Sequence, residues 1–258
     1  MSCALRAHNL SDVEYAIAAR LHLGLQPFPP RAMAALPEHC PLCVHRVTGA
    51  PVSLRDDPWH SLTCPNLVPG ELSRRHDAVV DAIGRIAWQV GAQVRREVEG
   101  LNPLNNQRPD LHIVFPGRVL LTDVAVSHAL TANHVTRGKT VTVLMQTRKD
   151  RKYAGIAARL GAELLNVSVD ACGGMAGDAF ELVRAVGEEG ARWSAGAWHS
   201  GAIERQMLGG IAMAVQRGNA LTMLCGYTRA TAADARIRLG NQMGVDVDGD
   251  AGEETATE

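Results

Sequence analysis

A chain of 258 residues can form one large domain or two smaller ones around a sizeable hydrophobic core. With 46% hydrophobic and 21% charged residues, its composition is that of an ordinary soluble globular protein. No apolar run is long enough to span a bilayer and the N-terminus lacks a signal-peptide pattern, so we expect neither a membrane-embedded nor a secreted protein. We therefore expect a reducing compartment, in which the six cysteines serve as metal ligands or core residues rather than disulfides.

The net charge of -1 hides an uneven distribution. Residues 245–258 carry six acidic and no basic side chains, whereas residues 71–160 carry 14 basic and 8 acidic ones. A basic central segment with an acidic C-terminal tail favours a polyanionic partner, although a mixed solvated surface has a similar composition. The tail itself, residues 244–258, is predicted to be disordered.

The first part of the chain predicts a helix followed by a stiff linker. Ser11-Asp-Val-Glu14 is a capping-box pattern, and the helix that it begins should end near Gly24. Four prolines between residues 27 and 37 then exclude further helix and predict a linker that extends to residue 36.

A cluster of cysteines and one histidine follows this linker. Cys40-Pro-Leu-Cys43 is separated by sixteen residues from His60-Ser-Leu-Thr-Cys64. Three thiolates and one imidazole at these tight spacings are typical of a closed, tetrahedral, structural Zn²⁺ site. His39 and His45 are less well spaced alternatives to His60, and a chance cluster is the alternative to zinc. The sequence predicts a zinc knuckle over residues 37–70.

Residues 75–89 have the apolar spacing of a helix, which Gly91 should terminate. Residues 93–99 then alternate like a strand and carry two acids, Glu97 and Glu99. Because they are two positions apart, these acids should point to the same face of that strand.

Two β-prone runs flank Pro116-Gly117, and this pattern predicts a hairpin over residues 108–123. With Pro116 and Gly117 as the two turn residues, the cross-strand register places Asp110 directly opposite Asp123, with Cβ atoms roughly 4.5–5.5 Å apart. Two carboxylates so close repel each other, whereas a divalent cation such as Mg²⁺ would bind between them. The alternative is that both are unrelated surface residues.

A basic helix should begin near Arg148 and end at Gly161. On this helix Lys149 faces Lys152 and Tyr153, three and four residues away, as a phosphate-facing cluster or simply as a solvated face. A strand is predicted over residues 163–169 and a helix from Asp178 to Gly190. Further helix is expected from Ile203 to Gln216, with a stop at Gly218-Asn219 and a continuation to Gly226.

Taken in order, these elements resemble the restriction-endonuclease-like core of the PD-(D/E)xK nucleases, with Pro109-Asp110 as the PD element and Asp123 as the later acid. The usual lysine two residues on is absent, because position 125 is Ala. The chain resembles more closely the C-terminal zinc-knuckle and endonuclease region of LINE-type (non-LTR) retrotransposon polyproteins. In that group the lysine lies on the next helix in a Lys-x-x-Lys-Tyr pattern, which here is Lys149-Asp-Arg-Lys152-Tyr153.

This resemblance implies an α/β fold: a restriction-endonuclease-like core, with a central mixed β-sheet flanked by helices, and a small N-terminal zinc-binding module. The predicted division is an N-terminal helix and linker over 1–36, the knuckle over 37–70, the nuclease core over 71–190, C-terminal helices over 191–243 and the acidic tail over 244–258.

By the same resemblance, the chain would be a detached or truncated C-terminal module without reverse transcriptase. It would nick target DNA and leave a 3′ hydroxyl that primes reverse transcription. Asp110 and Asp123, with Glu97 as third acid, would hold catalytic Mg²⁺ or Mn²⁺. Lys149, or alternatively Lys152, would assist hydrolysis, and Tyr153 would support the site. Expected phosphate contacts come from six arginines: Arg74, Arg75, Arg95, Arg96, Arg108 and Arg151.

The implied partners are DNA, a reverse transcriptase supplied separately and, as a further candidate, the RNA of the element. No membrane partner is expected. Nuclear residence is implied by the family, with a cytoplasmic location as the alternative. A competing interpretation is a non-catalytic nucleic-acid-binding module that keeps the nuclease core as a scaffold. A third is a structural domain whose acids lie on the surface.

Overall fold

The computed structural model describes residues 9–45, 48–101, 107–128, 140–194 and 196–243. The predicted disorder of the tail over 244–258 lies outside these residues, as do residues 1–8 of the predicted N-terminal segment. The described chain is a mixed α/β structure with small sheets. No helix in the described part is both long and apolar enough to cross a membrane.

Six α-helices and eight strands make up the described structure. The helices are α1 (Asp12–His22), α2 (Pro30–Ala34), α3 (Glu71–Gln89), α4 (Val141–Leu160), α5 (Gly177–Trp193) and α6 (Ser200–Met243). The strands are β1 (His39–Val44), β2 (Pro51–Ser53), β3 (Gln93–Arg96), β4 (Leu111–Phe115), β5 (Arg118–Thr122), β6 (Val124–Ser127), β7 (Glu163–Leu164) and β8 (Val167–Asp170). A 3₁₀ turn, His60–Leu62, lies between β2 and α3. Helix α2 falls within the predicted proline linker, so the prediction that this segment contains no helix is wrong. Pro30 stands at the first helical position, where a missing N–H and a fixed φ are compatible with a helix.

The central sheet is mixed. Its strands run in the order β3-β4-β5-β7, antiparallel except for the parallel pair β5 and β7, while β6 pairs in parallel with β8. Asp123 alone separates β5 from β6. The Leu165 N–H donates to the Leu121 carbonyl at 2.9 Å and the Val167 N–H to the Asp123 carbonyl at 3.0 Å. The ladder therefore continues through both breaks, and β5–β6 and β7–β8 act as two long neighbouring strands.

Because side chains alternate along a strand, the two faces of the sheet contribute residues to two different cores. Leu111, Ile113 and Phe115 of β4 point to the main core, which also takes residues from α3, α5 and α6. Leu121, on the other face of the sheet, packs with Tyr153 and Ile156 of α4. The sheet thus lies between α4 on one face and α3, α5 and α6 on the opposite face.

The last helix, α6, is one continuous element of 44 residues. The predicted stop at Gly218-Asn219 is wrong, and so is the predicted end at Gly226. At Gly218 the missing side chain makes room for another residue, since a Cβ there would lie 2.9 Å from Cβ of Arg75. The glycine thus serves close packing of α6 against α3 rather than helix termination.

Helix α6 also joins the region around the cysteines to the main core. Its Ile203, Met207, Ile211 and Val215 lie in the main core. Further along, Ala230 packs with Cys40 and Cys64 in a separate cluster.

Candidate functional site

The hairpin forms with the predicted register. Phe115 pairs with Arg118 and Leu111 with Thr122 across a turn at Pro116 and Gly117. Gly117 has a φ of 83°, which glycine adopts without strain. Asp110 and Asp123 are the next residues beyond the Leu111–Thr122 pair, so the register places them side by side at one end of the hairpin.

Asp123 lies on the face of the sheet that α4 covers, because it is two residues after Leu121. Its side chain is 3% exposed and forms an ion pair through Oδ2 with Nζ of Lys149 on α4. Burial and the negative charge of Asp110 raise the pKa of Asp123, while the ion pair with Lys149 opposes that rise. The buried carboxylate is therefore balanced by one positioned cation.

Asp110 has different partners. Its Oδ2 lies 3.1 Å from Nε2 of His76 on α3 and accepts a hydrogen bond of 2.6 Å from the backbone N–H of Val124. Burial would raise the pKa of Asp110, but the hydrogen bonds from His76 and Val124 outweigh it and lower the pKa. The same contact raises the pKa of His76 to about 9, against the effect of its own burial. The two aspartates consequently have pKa values shifted in opposite directions, as is common for acids at functional sites.

Helix α4 brings the predicted lysine and tyrosine to the same face of the sheet. Tyr153 is buried, and its hydroxyl donates to the Arg108 carbonyl at 3.0 Å. Burial and the neighbouring Asp123 raise its pKa, so the phenol stays protonated and can act as a donor. Lys152 is exposed and its Nζ lies 2.6 Å from the Tyr153 hydroxyl. Of the two lysines, Lys149 is the one in direct contact with a site carboxylate.

The third predicted acid does not join this pair. Strand β3 ends at Arg96, and Glu97 follows with a φ of 42°, so the expected alternation does not extend to Glu97 and Glu99. The Glu97 N–H donates to the Asp110 carbonyl at 3.1 Å, whereas its side chain is exposed. Glu99 pairs with Arg108 at 2.9 Å.

Among the six arginines expected to contact phosphates, Arg75 is placed differently from the rest. It is 4% exposed, and its guanidinium donates to Asn219 Oδ1 at 2.9 Å and to the Leu62 carbonyl at 3.4 Å. Burial lowers its pKa to about 10. The prediction that Arg75 contacts phosphates is therefore wrong, because its guanidinium is used to join α3, α6 and the 3₁₀ turn.

The other five arginines are at least partly exposed. Arg74 pairs with Glu71, Arg96 with Asp81 and Arg108 with Glu99, while Arg95 and Arg151 are exposed. Arg74 is two residues from His76, which is about 200° around a helix, so it faces away from Asp110.

The cysteine and histidine cluster forms as predicted, with His60 rather than His39 or His45. The ligand atoms of Cys40, Cys43, His60 and Cys64 all lie within 4.8 Å of one another. Among the described residues this is the only group of three or more His, Cys, Asp or Glu side chains that could hold a metal ion in this way. Neither Asp110 and Asp123 with Glu97, nor any other set of acids there, forms such a group.

Several features prepare this cluster for a metal such as zinc. Cys43 Sγ lies 3.0 Å from His60 Nε2, and the Leu67 N–H donates to Cys64 Sγ at 3.3 Å. His60 Nδ1 lies 3.6 Å from Asp57, an arrangement that orients a metal-ligating imidazole. The hydrogen bond between Cys64 and Cys40 lowers the pKa of Cys40, against the effect of burial, and raises the pKa of Cys64.

Sequence reasoning missed two groups next to the aspartates. Nothing in the sequence pairs His76 with an aspartate 34 positions away. Asn166, fully buried, accepts from the Asp123 N–H at 3.1 Å and donates to Asp150 at 2.8 Å. Its position in the break between two short strands is the only local signal of this role.

None of the protein-family models compared with this chain matches it, and neither does any of the curated proteins. The functional assignment therefore depends on the geometry of the two sites.

Proposed function

We propose that the chain is a metal-dependent DNA endonuclease whose active centre contains Asp110, Asp123 and Lys149. The observation that carries this proposal is the ion pair between Lys149 and the buried Asp123, beside Asp110, which directly precedes the neighbouring strand β4. Two carboxylates and one lysine at the end of a hairpin match the chemistry of phosphodiester hydrolysis. Catalytic carboxylates bind hard divalent cations, and an ammonium stabilises charge on a phosphate.

Asp110 and Asp123 would hold Mg²⁺ or Mn²⁺. The bound ion would activate water and neutralise charge on the scissile phosphate. Glu97 is the predicted third acid, but its exposed side chain does not join the pair, so the two aspartates carry the proposal.

The surrounding residues have roles that follow from their contacts. Lys149 is placed to orient the attacking water or to stabilise the pentavalent transition state. Tyr153 stays protonated and supports the site through its contact with the Arg108 carbonyl. His76, on α3, orients Asp110 through the contact between its Nε2 and the Asp110 carboxylate.

We further propose that Cys40, Cys43, His60 and Cys64 hold a structural Zn²⁺. All four tetrahedral positions would be filled by protein, which leaves no open position for catalysis. The cluster packs against Leu67, Val68 and Ala230, which ties the ion to the fold rather than to the aspartates.

The biological role that we propose comes from the resemblance to LINE-type retrotransposon endonucleases. Water would attack phosphorus and the bond to the 3′ oxygen would break, which leaves a 5′ phosphate and a 3′ hydroxyl that primes reverse transcription. In this role DNA is the substrate, a reverse transcriptase extends the primer, and the reaction takes place in the nucleus. The order α3, hairpin, α4 and β7 supports this proposal because it follows the order expected for that family.

Nicking of a supercoiled plasmid with Mg²⁺ or Mn²⁺ tests the activity. We expect wild-type protein to nick, Asp110→Ala and Asp123→Ala to lose nicking, and Asp234→Ala to keep it. Asp234 is the matched control because it pairs with Arg238 on the distal part of α6. Nicking that persists in both site variants would refute the assignment.

A second candidate function is a non-catalytic nucleic-acid-binding module. It is favoured by one observation: both aspartates already have cationic or hydrogen-bonding partners, without a third acid close by. This alternative predicts salt-dependent DNA binding and no metal-linked stabilisation of the fold. A shift of the melting temperature with Mg²⁺ in wild type, but not in Asp123→Ala, would favour the endonuclease.

A further inference from the structure

A groove of about 750 Å³ runs between α3 and α6, on the side of α3 that faces away from Asp110. Its floor is apolar and includes Ala78, Ala82, Met213 and Leu221. Leu221 is 47% exposed, which is high for a leucine in the middle of a packed helix. The groove is separate from the aspartate site, because His76 and these floor residues lie on different faces of α3.

Small residues on both helices create this groove. The two helices are antiparallel, since Gly210 of α6 lies against Ala82 and Ile86 while Gly218 lies against Arg75. Close approach at these glycines brings the helix axes together, and the alanines on either side leave the space above the seam unfilled. The groove extends along α3 from Glu71 to Arg85, a distance of about 20 Å at 1.5 Å per residue. A further helix of three to four turns has about this length.

The rim of the groove is basic. Arg74, Arg85, Arg217 and Arg229 line it, against two carboxylates, Glu71 and Asp81. Both carboxylates already have arginine partners, as Glu71 pairs with Arg74 and Asp81 with Arg96. Within the described part of the chain, Arg85 and Arg229 have no ion pair of their own. The rim therefore presents uncompensated positive charge beside exposed apolar surface.

We propose that this groove binds an acidic amphipathic helix of a partner protein. The apolar face of such a helix would cover Met213 and Leu221, and acidic residues along its edges would pair with Arg85 and Arg229. Helix-in-groove recognition uses apolar anchors at i, i+3, i+4 and i+7, and complementary charge selects the partner and its orientation. A nucleic acid backbone would match the arginines but leave the apolar floor uncovered.

The probe is a synthetic helical peptide of about 15 residues with leucines along one face and glutamates flanking them. A second peptide has lysine in place of each glutamate, and a third keeps the glutamates but has serine in place of the leucines. Fluorescence anisotropy with the full chain should show binding of the first peptide that is about tenfold tighter than that of the other two. Equal binding of the glutamate and lysine peptides, or no binding of the first, would overturn the proposal.

Matched variants test whether the first peptide binds in the groove. Leu221→Glu should weaken the first peptide about tenfold and Arg229→Glu several-fold. Leu239→Glu and Arg236→Glu, at exposed positions on the same helix beyond the groove, should leave its affinity unchanged. Peptide affinity that is the same in Leu221→Glu and in wild type would overturn the proposal.

Two further measurements distinguish other occupants. If the wild type sediments as a dimer and Leu221→Glu as a monomer, the groove holds a second copy of this chain and the proposal fails. It also fails if Leu221→Glu and Arg229→Glu weaken the binding of duplex DNA and not of peptide. Unchanged sedimentation and DNA binding in both variants, together with weaker peptide binding, would support the partner helix.

Discussion

The Cys/His cluster and the Asp110–Asp123 pair are both candidate metal sites, yet they are built in opposite ways. In the cluster, four soft ligands already lie within 4.8 Å of one another. In the pair, two hard carboxylates each have their own partner, Lys149 for Asp123 and His76 for Asp110. The cluster thus offers four ligands to one ion at once, whereas an ion at the pair would have to compete with the existing partners of the two carboxylates.

The regions around the two sites also differ in how much their stability depends on a bound ion. The ligands of the cluster come from two separate segments, residues 40–43 and 60–64, within short strands and a 3₁₀ turn. A bound ion would join these segments and so supply much of their stability. The aspartates lie at the end of a hairpin whose core is complete without an ion. Removing metal should therefore unfold one region and inactivate the other.

The largest expected effect is that of zinc loss. Cys64→Ser, or chelation, should remove several kcal/mol of stability, since structural zinc contributes on the order of 10 kcal/mol. Hydrogen exchange should rise over residues 39–68 and around Ala230, which packs against the cysteines, while β4 and β5 stay protected.

Cys172→Ser is the matched control, because Cys172 is a half-buried free thiol away from the cluster. An equal rise of exchange in β4 and β5 would mean that the ion supports the whole fold. Unchanged exchange after chelation would mean that the cluster holds no metal.

The next effect concerns the two lysines of α4. Lys149→Met should slow nicking by on the order of 10²–10³-fold, because it removes the only cation in contact with Asp123 among the described residues. Lys152→Met should have a much smaller effect, since Lys152 contacts the Tyr153 ring and hydroxyl instead. Single-turnover nicking rates measure both, and the reverse order would assign the catalytic role to Lys152.

A smaller effect, on stability, distinguishes the adjacent residues Arg75 and Arg74. Arg75→Met should lower the free energy of unfolding by about 1–3 kcal/mol, because the fully buried Asn219 loses a donor to its Oδ1. Arg74→Met is the control, with a side chain 76% exposed, and should change stability by less than about 0.5 kcal/mol. Urea denaturation gives both values, and equal losses would contradict the structural role of Arg75.

The smallest effect is a pH dependence at Asp178. Burial and the charge of Asp150 raise its pKa in the folded state, so the folded protein binds more protons than the unfolded chain at this carboxyl. Stability from this group is present at acidic pH and is lost as pH rises through the raised pKa.

Asp178→Asn should therefore gain a few tenths of a kcal/mol over wild type at neutral pH and nothing well below the unfolded pKa of about 4. Urea midpoints across this range measure the difference. Asp12→Asn is the control, because Asp12 also lies in the first turn of a helix, α1, but is exposed to solvent. A gain that does not depend on pH would contradict the assigned cause.

The sequence by itself determined the local features of both sites. A two-residue turn and the alternation of side chains in a strand are enough to place Asp110 beside Asp123. The ligand spacing within residues 40–64 is enough to define the cluster, including His60 rather than His39 or His45. Helical periodicity placed Lys149 and Tyr153 on one face of α4. Each of these inferences depends on geometry over a few residues, which the backbone imposes whatever the rest of the chain does.

Only the tertiary structure decided which distant residues meet. His76 contacts an aspartate 34 positions later, and Arg75 is buried against Asn219, 144 positions away. Gly218, an expected helix stop, lies inside α6 instead and contacts α3. The aliphatic part of the Arg75 side chain occupies the space that a side chain at position 218 would need. Glycine and arginine have local preferences of well under a few kcal/mol, and burial of a helix interface outweighs them.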